Sequence, residues 1–255
     1  MIQKILNRNK ILFWLGAVHF LILLLLLAYL PFDSIMILGV KSVIKPIKFA
    51  LSIGVYSWTM ALILHYFKDK RSVKIYSWAA VICMSFEQLA ITTQALRGEL
   101  SHFNTANTYG IILFSLMGIF ILTITLWTAY MTSIFWRQKT DALPSEMVLS
   151  ITIGLVYFVI FSLFGGYISG LKGHTVGAAD GSEGLIFLNW SKQYGDLRVA
   201  HFFGIHSLQI IPLFTLFMKQ LHLRLTTKTV WLFSIIYLVF VIITMVQGLR
   251  GIPFS

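Results

Sequence analysis

Residues whose types could support chemistry are concentrated at positions 180–209, which read DGSEGLIFLNWSKQYGDLRVAHFFGIHSLQ. There a polar, glycine-rich segment runs into an apolar helix that carries His201, His206 and Gln209. Histidine titrates near neutral pH, and its ring nitrogens bind transition metals and haem iron. We therefore predict His201 as a metal ligand and His206 as a catalytic acid or base.

The spacing of these histidines limits what they can do by themselves. Five residues on a helix place His201 and His206 about 140° apart, whereas the paired histidines of the HExxH zinc motif are four residues apart on one face. A metal or haem site would need partners from elsewhere, such as His102 or His174, and we predict His102 as a second metal ligand. Two alternatives stay open, a hydrogen-bonded network that holds the loop to the helices and a proton-transfer role.

A carboxylate, Glu87, lies deep within an apolar stretch. It precedes Arg97 by ten residues, which corresponds to about 15 Å along a helix, and Gln94 follows it by two turns on the same face. Ionisable groups at such a depth in a membrane are costly and mark a functional site or a paired buried network. We predict Glu87 as a catalytic acid or base; the alternative is a structural carboxyl that ties its helix to a neighbour.

Cationic side chains at the ends of the apolar stretches form a second constellation. Arginine binds carboxylates and phosphates in bidentate fashion, so these side chains suit haem propionates, a lipid headgroup or an organic anion. The alternative is that they only anchor helix ends by snorkelling. With their polar neighbours they give the predicted ligand-binding set of Lys45, Lys48, Gln94, Arg97, Asn104, Asp196, Arg198, Gln209, Gln247 and Arg250.

The amino-acid composition predicts that the chain is a membrane protein. The chain is 58% hydrophobic and 11% charged, whereas soluble domains are roughly half apolar and about a quarter charged. Its net charge of +11 reflects Lys and Arg at span ends rather than a nucleic-acid surface, since no long basic run with interleaved aromatic residues occurs. The one cysteine, Cys83, excludes an internal disulfide.

Apolar runs of roughly 20 residues predict an all-α chain with seven transmembrane helices in one domain, residues 1–255. A short interfacial segment is predicted at 33–44. Segment 169–197 is too long for a simple turn, and Trp190 with its apolar neighbours predicts that it packs as a lid. The predicted spans are 11–30, 46–66, 75–96, 110–136, 146–168, 199–218 and 230–247.

The basic residues predict the orientation. Twelve of the 20 Lys and Arg side chains fall on one side, namely Lys4, Arg8, Lys10, Lys68, Lys70, Arg71, Lys74, Arg137, Lys139, Lys219, Arg224 and Lys228. The positive-inside rule then places the N-terminus in the cytoplasm and the C-terminus outside. The outer side gathers the candidate residues together with Glu99, His174, Asp180 and Glu183.

Four motifs carry a resemblance. They are KPIKF at 45–49, QALRGELSHFN at 94–104, GHTVGAADG at 173–181 and GDLRVAHFFGIHSLQ at 195–209. With them the chain resembles a family of uncharacterised bacterial seven-helix integral membrane proteins. The resemblance covers most of the outer-facing half; it implies a bacterial inner membrane and brings no activity with it.

These features predict an outward-facing polar pocket that binds an anionic ligand or cofactor. A haem- or metal-dependent membrane enzyme is one version and a ligand-binding sensor is another. The alternatives are a proton-coupled transporter of a small organic anion and a structural or assembly partner in a membrane complex. The expected partners are the lipid bilayer and a small anion or lipid, with no nucleic acid.

Overall fold

The computed structural model describes residues 2–138, 142–181 and 184–254, and they are mainly helical. Lys139 and Glu183, named above, lie outside the described residues. The chain divides into two compact units, Met1–Ile124 and Thr125–Ser255. Within the described ranges the α-helices are α1 Ile2–Arg8, α2 Lys10–Tyr29, α3 Ile44–Leu64, α4 Lys70–Leu96, α5 Thr108–Arg137, α6 Ser145–Gly170, α7 Arg198–Gln220 and α8 Thr227–Leu249.

Helices α2 to α8 are long and apolar enough to cross a membrane, which confirms the predicted number of spans in the described chain. Several begin earlier than the apolar runs do, because polar side chains cap their first turns. The side chain of Asn9 accepts from Leu12 N at the start of α2, and Asp69 accepts from two backbone amides at the start of α4. Such caps satisfy amides that have no partner within the helix.

In the first unit, α2 packs on α3 and α3 on α4. The Trp58 indole lies against Gly16 and donates to the carbonyl of Phe13 at 3.1 Å. At one end of this unit the Arg8 guanidinium donates to the Tyr66 hydroxyl at 2.9 Å. These contacts bring the start of α2 and the end of α3 to the same end of the unit.

The segment predicted as interfacial forms a β-hairpin between α2 and α3. Strands β1 (Met36–Ile37) and β2 (Val40–Lys41) pair antiparallel, and Leu38 and Gly39 turn between them with positive φ. Two successive residues with positive φ are typical of a type I′ hairpin turn. The hairpin holds the start of α3 in place, and that start carries the candidate lysines.

A buried carboxylate fixes the hairpin to α3. Asp33 accepts from Ile35 N at 3.0 Å, from the Ser42 hydroxyl and from Val43 N at 3.0 Å. Val43 precedes α3 and has no side-chain cap of its own, so Asp33 supplies the missing acceptor. The Lys41 ammonium donates to the carbonyl of Leu30 at 2.9 Å and so caps the end of the preceding helix.

In the second unit, α7 packs between α6 and α8. Gly204 lies against the buried ring of Phe161, and the Tyr237 hydroxyl donates to the Phe203 carbonyl at 2.6 Å. A small residue such as Gly204 lets helix backbones approach closely within a membrane. The core of the unit consists of Ile153, Tyr157, Phe161, Ala200, Ile211, Tyr237 and Val241.

Candidate functional site

Three titratable side chains occupy one region of the first unit, and two of them are in contact. The Lys45 ammonium at the start of α3 lies 3.1 Å from Nδ1 of His102, which belongs to the connection between α4 and α5. Because an ammonium can only donate, Nδ1 of His102 accepts and the ring carries its proton on Nε2. The charge of Lys45 also acts on the carboxyl of Glu87 on α4.

Glu87 is 1% exposed, and neither carboxyl oxygen has a hydrogen-bond donor among the described residues. The positive charge of Lys45 acts on this carboxyl without a hydrogen bond between the two groups. Removing a buried carboxylate from water is costly, and a nearby cation reduces that cost. Glu87 is thus held next to the cation by the fold of α3 and α4 rather than by a direct hydrogen bond.

Two glutamines of α4 extend this polar region. Gln88 donates to the carbonyl of Pro46 on α3 at 3.3 Å, and Gln94 donates to the carbonyl of Leu100 at 3.1 Å. The Oε1 atoms of both are buried and have no donor within the described part of the chain. Together with Glu87 they place four buried acceptor oxygens on one helix that accept no hydrogen bond from the described residues. Glu87 and Gln94 both lie within α4, seven residues apart.

The connection after α4 positions His102. Asn104 is buried, donates to Glu99 Oε2 and to the Leu100 carbonyl, both at 3.1 Å, and accepts from Ala106 N. Gly110, in the first turn of α5, lies so close to Asn104 that a Cβ there would meet its amide. Asn104 therefore shapes the turn that holds the histidine.

Aromatic rings cover the sides of His102. The ring centroids of Phe49 on α3 and Phe114 on α5 each lie 5.9 Å from that of His102. Apolar walls lower the local dielectric and strengthen the interaction between the charged groups. These two aromatic rings were not predicted from the sequence as part of the site. The spacing of Phe49, four residues after Lys45 in the KPIKF motif, could have predicted that one of them lies on the same helix face as the lysine.

The remaining candidates of the first unit lie around this cluster. Lys48 is half-buried one turn after Lys45 on α3, and this spacing of three places both on one face. Arg97 is exposed and its guanidinium lies 4.8 Å from the ring centroid of Tyr109. That cation–π contact places Arg97 at the rim, over the start of α5.

In the second unit the connection between α6 and α7, here called the lid, contains two short strands among its described residues. Strands β3 (Thr175–Val176) and β4 (Gly195–Asp196) pair antiparallel. Asp180 accepts from Thr175 N at 2.9 Å and pairs with His174 Nδ1 at 3.0 Å. Burial alone would raise the pKa of the Asp180 carboxyl, but the hydrogen bonds and charge of His174 and the hydrogen bonds from Thr175 outweigh it and hold that pKa below its usual range.

Asp196 and Arg198 bind each other. Asp196 is fully buried and accepts from the Arg198 guanidinium at 2.6 Å, from Ser191 N at 2.9 Å and from Arg198 N at 3.0 Å. The same guanidinium also donates to the carbonyl of Asn189. This ion pair fixes the lid to the start of α7. The ligand-binding role of Asp196 and Arg198 stays a prediction.

The two histidines of α7 have different environments. His201 Nδ1 lies 2.8 Å from the Phe161 carbonyl, and His206 Nδ1 lies 3.3 Å from Gln209 Oε1. Both partners are acceptors, so each Nδ1 donates and each Nε2 keeps its lone pair. His201 thereby links α7 to α6, and Phe202 lies 4.4 Å from His206 between ring centroids.

Gln247 and Arg250 lie at the end of α8. The Gln247 side chain donates to the carbonyl of Pro253 and folds the last residues back over the helix end. Arg250 is exposed. Their ligand-binding role stays a prediction.

The structure tests the metal candidates only in part. Among the residues it describes, no three or more His, Cys, Asp and Glu side chains are grouped so that they could hold a metal ion. His102 belongs to the first unit and His201 to the second. Their roles as metal or haem ligands stay predictions.

Comparison with protein-family models, with curated proteins and with solved structures finds no match to this chain.

Proposed function

We propose that this protein is an integral membrane protein that binds a small anionic ligand at the cluster of Lys45, His102 and Glu87. The observation that supports it most strongly is the contact of Lys45 with His102 near the buried carboxyl of Glu87, which accepts no hydrogen bond from any described residue. An ionisable group within a membrane span is energetically unfavourable, and such groups usually belong to functional sites. Glu87 and His102 would exchange protons with the ligand.

The charges on this face favour an anion. Lys45 and Lys48 share one face of α3, and an ammonium is a compact donor for carboxylate or phosphate oxygens. Glu87 is the one acidic side chain described within the four long helices of this unit, and the charge of Lys45 acts on it. Lys48 adds a second positive charge on the same face of α3.

The buried hydrogen-bond acceptors further restrict the chemistry of the proposed ligand. Glu87, Gln88 and Gln94 present oxygens that require donors, and a buried acceptor left without one costs about 1 to 3 kcal/mol. A ligand that satisfies both parts of the cluster carries an anionic group for the lysines and an N–H or O–H group for α4. Small hydroxy acids and related organic anions have this chemistry.

The proposed orientation follows from the basic residues. In the first unit, Lys4, Arg8, Lys10, Lys68, Lys70, Arg71 and Lys74 belong to the end where α2 begins, and only Lys41, Lys45, Lys48 and Arg97 belong to the other. The positive-inside rule then favours a cytoplasmic N-terminus and an outward-facing cluster. Seven crossings would place the C-terminus outside, and a bacterial inner membrane fits this arrangement.

Ligand-induced stabilisation tests the proposal. Thermal unfolding in lipid nanodiscs would be measured with succinate, glycerate and inorganic phosphate, for the wild type, Lys45→Met and the matched control Lys74→Met. Lys74 is exposed at the opposite end of the unit. We expect at least one anion to raise the unfolding temperature of the wild type and of Lys74→Met but not of Lys45→Met.

Two results would contradict the proposal. Equal stabilisation of both lysine variants would mean that the anion binds elsewhere, and no stabilisation by any of these anions would favour the scaffold alternative. Uptake of the binding anion into proteoliposomes would identify the site as that of a transporter, whereas binding without uptake would favour an enzyme or a sensor.

A further inference from the structure

The lid of the second unit presents an apolar tip. Residues 184–191, the tip hairpin, read GLIFLNWS. Ile186 is 94% exposed, more than any other large apolar side chain that the structure describes, and Phe187 beside it is 42% exposed. Side chains this large and apolar are unfavourable in water, so the tip requires an apolar environment.

The tip hairpin is ordered rather than loose. Gly184 and Ser191 form an antiparallel bridge, and Leu185 N donates to the Trp190 carbonyl at 2.8 Å. At the base, Ser191 N donates to Asp196, and Asn189 accepts from Arg198. The exposed position of Ile186 is therefore fixed by the same ion pair that closes the lid.

The depth of the tip hairpin indicates what surrounds it. Helix α7 has 23 residues, which gives about 34 Å, only about 4 Å more than the hydrocarbon thickness of a bilayer. Its first turn therefore lies at the hydrocarbon boundary when the helix spans the membrane. Trp190 packs on Phe202 and Phe203, with ring centroids 5.4 and 6.0 Å away, and both lie beyond that first turn.

The flanking residues suit the same environment. With α7 placed in this way, Trp190 would lie near the lipid headgroups, where tryptophan is enriched. Lys192 follows the hairpin and is exposed, as is Lys172 at the other end of the lid. Basic residues beside an apolar tip are complementary to anionic phospholipid headgroups.

We propose that Ile186 and Phe187 insert into the lipid interface beside the start of α7, so that the lid is anchored to the membrane surface as well as to the helices. The partner is phospholipid, with acyl chains around the two apolar side chains and headgroups around Lys192. This inference is independent of the anion site in the first unit.

Fluorescent labelling at single cysteines tests the insertion. Cys83 is the one cysteine of the chain and is buried, so Cys83→Ala provides the background. Ile186→Cys and, separately, Phe187→Cys would be labelled with the environment-sensitive dye NBD in nanodiscs of phosphatidylcholine and phosphatidylglycerol. Gln193→Cys is the control, because Gln193 is an exposed polar residue of the same lid.

We expect NBD at 186 and 187 to emit at shorter wavelength than at 193, to be quenched by lipids with a doxyl group near the headgroup, and to be several-fold less accessible to aqueous iodide. Equal iodide quenching at all three positions would overturn the proposal. Blue-shifted emission without quenching by doxyl lipids would also overturn it, since the tip would then be covered by protein. Unfolding temperatures equal to that of the Cys83→Ala background would establish that the labelled chains are folded.

Discussion

The Lys45 ammonium contacts Nδ1 of His102 at 3.1 Å across 57 residues of sequence, and its charge also acts on the buried carboxyl of Glu87. Helix α3, helix α4 and the connection to α5 each contribute one of these side chains. Their convergence in one unit is the structural basis of the proposed anion site.

The coupling between Lys45 and Glu87 should be measurable in a double-mutant cycle. Lys45→Met removes a positive charge that acts on the buried carboxyl of Glu87 and should lower the free energy of unfolding by about 1 kcal/mol, because the two groups form no hydrogen bond and Lys45 is only half-buried. Glu87→Gln should cost less, because the amide is neutral and of similar size to the carboxyl. Since the two groups interact, the double variant should be more stable than the sum of the single effects by about 0.5 to 1 kcal/mol. Strict additivity in detergent unfolding experiments would contradict the interaction.

Asp196 should be critical for the lid. Asp196→Ala removes the acceptor of two backbone amides and of the Arg198 guanidinium, and breaking such a buried pair costs about 3 to 5 kcal/mol. Asp69→Ala is the matched control, because exposed Asp69 caps α4 and a lost cap costs about 1 kcal/mol. Hydrogen exchange of residues 171–197 should accelerate only in Asp196→Ala. Similar exchange in the two variants would show that the lid does not depend on this ion pair.

The stabilising effect of Asp180 should depend on pH in one direction. Its pKa in the folded protein is below the unfolded value of about 3.9, so its contribution is complete above that value and is lost as pH falls through the folded pKa. The stability difference between wild type and Asp180→Asn should thus shrink as the pH falls from about 5 to below about 4. Unfolding temperatures across this range measure it. A difference that grows on acidification would refute the assigned role of Asp180.

Two helical glycines should respond to alanine with opposite signs. A Cβ at Gly204 of α7 would meet the buried ring of Phe161, whereas one at Gly166 of α6 would meet nothing within 4 Å. Gly204→Ala should therefore destabilise by about 1 to 3 kcal/mol through overpacking. Gly166→Ala should stabilise by about 0.5 to 1 kcal/mol because glycine is unfavourable within a helix. Thermal unfolding of both variants would show it, and stabilisation by both would mean that α6 and α7 are not closely packed.

The helices could be predicted from sequence because the signal is local. Each span is an apolar run long enough to cross a bilayer, and the structure adds only the capped first turns at Asn9 and Asp69. The β1–β2 hairpin was not predicted. Asp33 stabilises it by accepting hydrogen bonds from residues up to ten positions away. The periodicity of apolar residues in the sequence does not predict such contacts.

The site could be predicted only in part for the same reason. Glu87 and Gln94 are two turns apart on one helix, so their shared face followed from spacing. The contact of Lys45 with His102 depends on the turn that Asn104 shapes, which spacing cannot give. Asp196 and Arg198 were predicted as ligand groups from their types, and their mutual pairing became visible only with the fold of the lid.

The most direct test of the anion site is a calorimetric count of protons. The tightest binder among succinate, glycerate and phosphate would be titrated into the wild type and into Glu87→Gln, in two buffers with different ionisation enthalpies. We predict that protons are exchanged as the anion binds to the wild type and that Glu87→Gln reduces their number. The same proton count in both proteins, or no binding of any of the three anions, would contradict the proposal.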